Sequence, residues 1–241
     1  MTIFRILAGS SLLILAPAIA QVAQPPDLGD PKLATHATLL WNNLGNMPLS
    51  ERLQQAKSTA IRAGIPWTGL NIIGKGNEGA PPGRQSDALV EMYKRDTCQA
   101  DAIVVGHATA SASHLSASAA SIYSDYIFVI DGVLKDNTAS PIASKRAVVV
   151  TRPGGELTLP DGHVSVVELD FPYLETGVTY VEFLKYVPQS TGYQAIGPSS
   201  TLRNDNGNLT IARQAFSNIV LPEFTMSGIG PTVASWLALC K

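Results

Sequence analysis

The sequence predicts a mainly β fold: a small closed or partly open antiparallel barrel with a C-terminal helix, preceded by a partly helical N-terminal segment. Three observations predict it. From Cys98 onward, short apolar runs alternate with turn chemistry, and almost no helical pattern intervenes. Between Gln21 and Thr97 the chain reads instead as two helical stretches around a loop rich in glycine and proline. At the end, Val233, Trp236, Leu237 and Cys240 stand at i, i+3, i+4 and i+7, the spacing of one helix face.

The elements follow in order. Arg5 precedes an apolar run from Ile6 to Leu15, and Ala18-Ile19-Ala20 precedes Gln21, which is the order of a secretory signal peptide over residues 1–20. The run is shorter than the roughly 20 residues a spanning helix needs, and no later stretch is long enough, so no transmembrane segment is expected in the mature chain. The mature protein is expected to be secreted or periplasmic. An accessory segment, 21–97, opens on "QPPDLGDP". Its first helix is expected from Ser50, as N-cap, to Ala63, with Gly64 just past the end and Leu53, Ala56, Ala60 and Ile61 as its apolar positions. The loop "GKGNEGAPPGRQ" lacks the order that cradles a phosphate and reads as a linker. Ser86 then caps a second helix, whose Leu89, Met92 and Tyr93 form one core-facing stripe and which delivers the chain to Cys98.

Region 98–241 carries the barrel. Ala102–Val105, Tyr126–Ile130 and Ala147–Val150 are continuous apolar runs, so both faces of these strands are expected to be covered. Pro160-Asp161-Gly162 and Asn206-Gly207 each read as a hairpin turn, because proline presets φ and glycine accepts positive φ. "VTYVEFLKYV" supplies a strand from Val178 to Val187 in which Val181, Phe183 and Val187 share a face. Gly230-Pro231 starts the last helix.

Net charge is −2 and 15% of residues are charged, so no basic footprint points to nucleic acid. The two cysteines, Cys98 and Cys240, permit a single intramolecular bridge in an oxidising compartment; two buried free thiols or an unpaired reactive one are the other readings.

The order "CQADAIVVGHATA", "YSDYIFVIDGVLKD", "RAVVVTRPGG" and "FPYLETGVTYVEFLKYV" resembles the netrin-like module. The matching positions are Cys98, Ala100, Asp101, Val104 and Gly106; Val133, Leu134 and Lys135; and Leu174, Gly177 and Tyr180. The chain is also similar to secreted bacterial proteins of unassigned function. The resemblance covers about 98–211 and implies a five-stranded OB-type barrel. The family's best-known members inhibit extracellular metalloproteinases through an N-terminal cysteine. Here a long segment precedes Cys98, and the family's dense disulfide set is reduced to one candidate bond, so that activity is not implied. OB-type barrels typically bind on the second and third strands and the loops beside them. The resemblance therefore implies ligand contacts at the 111–121 loop, Tyr123, Asp125, Arg146, Arg152 and the 188–200 loop with Tyr193, where aromatics beside arginines suit a sugar or a peptide carboxylate.

Catalytic patterns are weak. None of His36, His107, His114 and His163 has metal-ligand spacing, so no metal and no cofactor are expected; His107 and His163 are the weak candidates for a metal formed in three dimensions. "TMSGIG" lacks the first glycine of a nucleophile elbow, the serines between Ser111 and Ser121 read as a flexible β-hairpin or an inter-strand loop, and Asp125 and Asp131 read as a solvated strand face. Asn208-Leu209-Thr210 is a glycosylation sequon. The sequence thus favours a secreted, non-catalytic module that binds an extracytoplasmic protein or glycan. An extracytoplasmic metal-assisted hydrolase and an envelope structural component are its rivals.

Overall fold

The computed structural model describes residues 26–28, 47–73, 85–143, 145–168, 171–197, 200–212 and 220–240. The segment read as a signal peptide, His36 and the glycine-rich stretch from Gly74 to Arg84 lie outside these residues.

Helix α1 (Leu49–Arg62), strand β1 (Leu70–Ile73) and helix α2 (Gln85–Gln99) come first. Then follow β2 (Ala102–Leu115), β3 (Ile122–Lys135), β4 (Ala147–Pro153), β5 (Gly155–Leu159), β6 (Gly162–Val167), β7 (Thr179–Val187), β8 (Gly192–Ala195), β9 (Thr201–Asp205), β10 (Asn208–Ile211), β11 (Val220–Thr225) and helix α3 (Ile229–Leu237). Five strands close a ring in the order β7-β2-β3-β4-β8, with β8 returning to β7. Every pair in the ring is antiparallel except β4–β8, where Val150 faces Tyr193 and Thr151 faces Gln194 in parallel register. Strands β9, β10 and β11 extend the sheet outward from β7.

The continuous apolar runs have both faces covered. Ala102 and Val104 of β2, Tyr126 and Phe128 of β3, Val148 and Val150 of β4, and Tyr180 and Leu184 of β7 fill the ring. The alternate residues Ile103, Val181 and Phe183 face outward beneath Leu89 and Tyr93 of α2 and Val233 and Trp236 of α3. Gly106 sits at an irregularity of the β2–β3 register. A Cβ there would run into the Val129 carbonyl oxygen and the Phe128 ring, so only glycine lets the strands approach at this bend. The Asn206-Gly207 turn has φ of 55° and 91°, the double positive pair of a tight hairpin.

A second, three-stranded sheet has the order β1-β6-β5. The hairpin around Pro160-Asp161 forms as expected, with Leu159 opposite Gly162, but it belongs to this sheet and not to the ring. Strand β1 of the accessory segment pairs in parallel with β6, and Leu49 and Leu53 of α1 pack with Ile72, Ile122, Val164 and Val166.

Several boundaries differ from expectation. Helix α1 starts at Leu49 after Pro48, with no side-chain cap, so Ser50 lies inside the first turn. Proline's fixed φ prepares this start without a capping hydroxyl. Helix α2 begins at Gln85, one residue before Ser86. Of the two readings of the serine run, the β-hairpin holds: Ser116–Ser121 forms the turn into β3, and Ser111 and Ser113 belong to β2. Small residues are accepted there because the strand pairs along its length with β3, and Ser113 Oγ shares a hydrogen bond with Ser124 Oγ at 2.9 Å. Cys240 lies beyond the end of α3 and is half-buried, whereas Val233 and Trp236 hold the buried stripe. The two cysteines form the expected disulfide, joining the last turn of α2 to the C-terminal end of the chain. Among the described residues no helix is long and apolar enough to cross a membrane.

Candidate functional site

The residues implied as a ligand surface do not gather on one. Tyr123, Asp125, Arg152 and Tyr193 are 3%, 0%, 1% and 0% exposed, and Arg146 alone of the five is open to solvent. Tyr193 packs inside the ring, its hydroxyl donating to the Ser140 carbonyl at 2.9 Å and accepting from Asn137 Nδ2 at 3.1 Å. Asp125 accepts a hydrogen bond from Thr151 Oγ1 and lies 3.4 Å from His114 Nε2, whose ring stacks on Tyr123. Near Arg146, a cavity of about 200 Å³ opens between Lys145, Val149 and the Ser190–Gly192 turn, and Pro26 and Asp27 of the accessory segment close one side of it.

The histidines are held apart by different carboxylates. His107 Nδ1 is 3.0 Å from Asp131 on the ring, and His163 Nε2 is 3.8 Å from Glu156 on the second sheet. Among the described residues no three metal-ligating side chains converge. Asp131 is taken up by His107, whereas Asp125 is buried, so the two aspartates do not form the solvated strand face expected of them.

Arg152 occupies a different environment from the surface expected for it. Alternation along β4 turns Val148, Val150 and Arg152 inward, and alternation along β7 does the same to Tyr180, Glu182 and Leu184. The Arg152 guanidinium and the Glu182 carboxylate therefore meet within the protein, 1% and 0% exposed, at 3.0 Å. Nη1 donates to Glu182 Oε1 and to Thr201 Oγ1, and Thr201 Oγ1 donates to Glu182 Oε2 at 2.9 Å. The Phe171 ring lies 5.8 Å from the guanidinium carbon. Burial pushes the Glu182 carboxyl up to about 7, with Arg152 and the Thr201 hydrogen bond acting against the rise. Arg152 Nε and Nη2 are buried without a hydrogen-bond partner.

In the accessory layer, α1 and the start of β1 border an open groove of about 560 Å³, lined by Met47, Ala56, Ala60, Ile65 and Leu70 together with the polar Arg52, Gln55 and Thr59. Met47, Ile61, Ile65 and Ile73 are 39%, 64%, 60% and 68% exposed. Sequence reasoning passed over Glu182, Thr201 and this groove. The detectable signal for Glu182 was a lone acid whose same-face neighbours in the strand, Tyr180 and Leu184, are apolar or aromatic; for the groove it was a helix carrying more apolar residues than one buried stripe uses.

The ring order with its single parallel closure defines a closed five-stranded barrel of OB type. Compared with known protein families, curated proteins and solved structures, the chain matches none of them.

Proposed function

We propose that the protein is a secreted or periplasmic binding module without catalytic chemistry, and that its partner is a protein which docks on the accessory layer. One observation carries this reading: among the described residues, four of the six exposed large hydrophobic side chains, Met47, Ile61, Ile65 and Ile73, belong to the short stretch around α1 and β1. Concentrated apolar exposure of this kind favours a protein surface over a glycan, which would call for polar groups and flat aromatics. The disulfide and the signal-peptide pattern support an extracytoplasmic location.

The netrin-like reading remains part of the proposal. It is supported by the roles of its motif residues: Asp101 accepts from Lys185 Nζ and from the Tyr186 backbone, Gly106 permits the strand bend, and Tyr180 Oη accepts from the Glu175 backbone.

The test is a displayed peptide library panned against the oxidised protein, beside a glycan array, with Ile65→Asp and Ile73→Asp variants as counter-selections. Apolar peptides that bind the wild type and lose binding at least tenfold on either variant support the reading. Glycan binding indifferent to both variants would sink it.

A further inference from the structure

A guanidinium has two edges through which it grips an oxyanion with paired N–H groups, and the side edge is formed by Nε–H and Nη2–H. In Arg152 the internal partners, Glu182 and Thr201, both use Nη1. The side edge, Nε with Nη2, is left without a partner in a residue 1% exposed. An unpartnered donor pair in the interior is costly, and Arg152 has two such donors, aligned as carboxylate recognition requires.

The surroundings narrow the ligand. Phe171 lies against the guanidinium, and Tyr126 and Tyr180 are close enough to feel its charge. These walls are aromatic or aliphatic and buried. They supply no second cation beside the Arg152–Glu182 pair, which favours a monoanion over a phosphate dianion. From these observations we propose that the side edge of Arg152 is the recognition element of a second binding site, taking a small monocarboxylate bidentately inside the end of the barrel. The site is separate from the groove on the accessory layer and stands independently of it. Because both nitrogens are sealed from solvent, the carboxylate enters when the Phe171–Gly177 segment moves; that segment is held by the Gly177 amide on the Ala108 carbonyl and by the Glu175 amide on Tyr180 Oη.

Charge balance adds a consequence. Arg152 and Glu182 together are neutral when both are ionised, so a bound carboxylate leaves one negative charge in excess. Glu182 removes it by taking up one proton, which its buried carboxyl does near neutrality. Arg152 from β4 is the charge acting on Glu182; Thr201 of β9 is its uncharged partner, Val104 faces it from β2, and the Arg203–Glu175 pair lies beyond Tyr180.

The experiment follows the Arg152 Nε–H resonance of the oxidised protein by nitrogen–proton NMR during titration with sodium acetate and propionate, with sodium chloride at equal ionic strength as the control and sulfate as a second arm. Arg152→Lys assigns the resonance. A saturable shift with acetate and propionate, absent with chloride and sulfate, is expected. The apparent Kd should rise about tenfold per pH unit above neutrality, and Glu182→Gln should remove that dependence while keeping the shift. Should Arg152→Lys fail to fold, the resonance is assigned by its nuclear Overhauser contacts to the Phe171 ring, and the comparison of wild type with Glu182→Gln decides alone. A resonance indifferent to carboxylate in both proteins, or one that shifts equally with chloride, overturns the proposal.

Discussion

Lys135, the last residue of β3, sets its ammonium against the end of α2 beside Cys98, donating to the carbonyls of Thr97 at 2.9 Å, Cys98 at 3.3 Å and Ala100 at 2.5 Å. A helix C-terminus leaves its last carbonyls unpaired and carries partial negative charge, so a cation from a neighbouring strand satisfies both needs at once. Lys185 adds a bond to the Gln99 carbonyl at 3.3 Å. The end of α2 is thus fastened to the barrel by two lysines and to the chain's end by the disulfide.

The lysine cap has a measurable worth. Lys135→Met keeps most of the side-chain volume and strips the three bonds, and it should lower unfolding free energy by about 2 kcal/mol, as expected for hydrogen bonds to a charged group. Urea unfolding at neutral pH checks this. A change below about 0.5 kcal/mol would mean that water replaces the ammonium without cost.

The disulfide closes a loop of sequence separation 142. Restricting so long a loop in the unfolded chain stabilises by at most about 5 kcal/mol, and measured effects commonly fall near 2–4 kcal/mol. Cys98→Ser with Cys240→Ser should show a loss in that range, read from denaturation in a background where Trp41 and Trp67 are replaced by Phe, so that Trp236 fluorescence is one probe. Because Trp236 lies in the cluster that α3 shares with α2, a fluorescence transition that precedes the far-ultraviolet one would locate the first opening at this corner.

Stability should depend on pH through Glu182. Its folded carboxyl is raised from 4.5 to about 7 by burial, so the folded protein holds a proton that the unfolded chain releases. The stabilisation this gives is complete below about 4.5 and is lost as pH rises through 7. The urea midpoint should fall between mildly acidic and mildly alkaline buffer in the wild type, and Glu182→Gln should flatten that slope. An identical slope in the two proteins would move the cause elsewhere.

Two glycines separate steric need from backbone conformation. Gly106→Ala places a methyl group against the Val129 carbonyl and should cost about 3 kcal/mol. Gly207→Ala meets no heavy atom within 4 Å but keeps a φ of 91°, so it should cost only about 1–2 kcal/mol. Thermal unfolding of both variants under one condition tests the order.

The legible parts of the fold are those governed by near neighbours in sequence. The Asn206-Gly207 turn, the hairpin at Pro160-Asp161, the α2 stripe of Leu89 and Tyr93 and the two-faced burial of β2 were all readable, because turn sterics and side-chain periodicity operate over a few residues. The cysteine pair was readable by count. Less legible was the partner of a hairpin: nothing local in β6 announces that β1 will join it in parallel. The candidate site was legible least. Arg152 was singled out by residue type and by its place on the second-to-third strand face, yet whether a residue points into or out of a ring depends on how the ring closes.

The sequence by itself therefore determined a β-rich chain with its turns, its helix stripes and one possible disulfide. Only the tertiary structure decided that Arg152 faces Glu182 inside the barrel with its side edge unfilled, and that the apolar surplus of α1 is left open beside β1. The physical reason is that burial is a property of distant segments brought together. Periodicity says which residues share a face, and closure of β4 on β8 and β7 on β2 says which face becomes the interior.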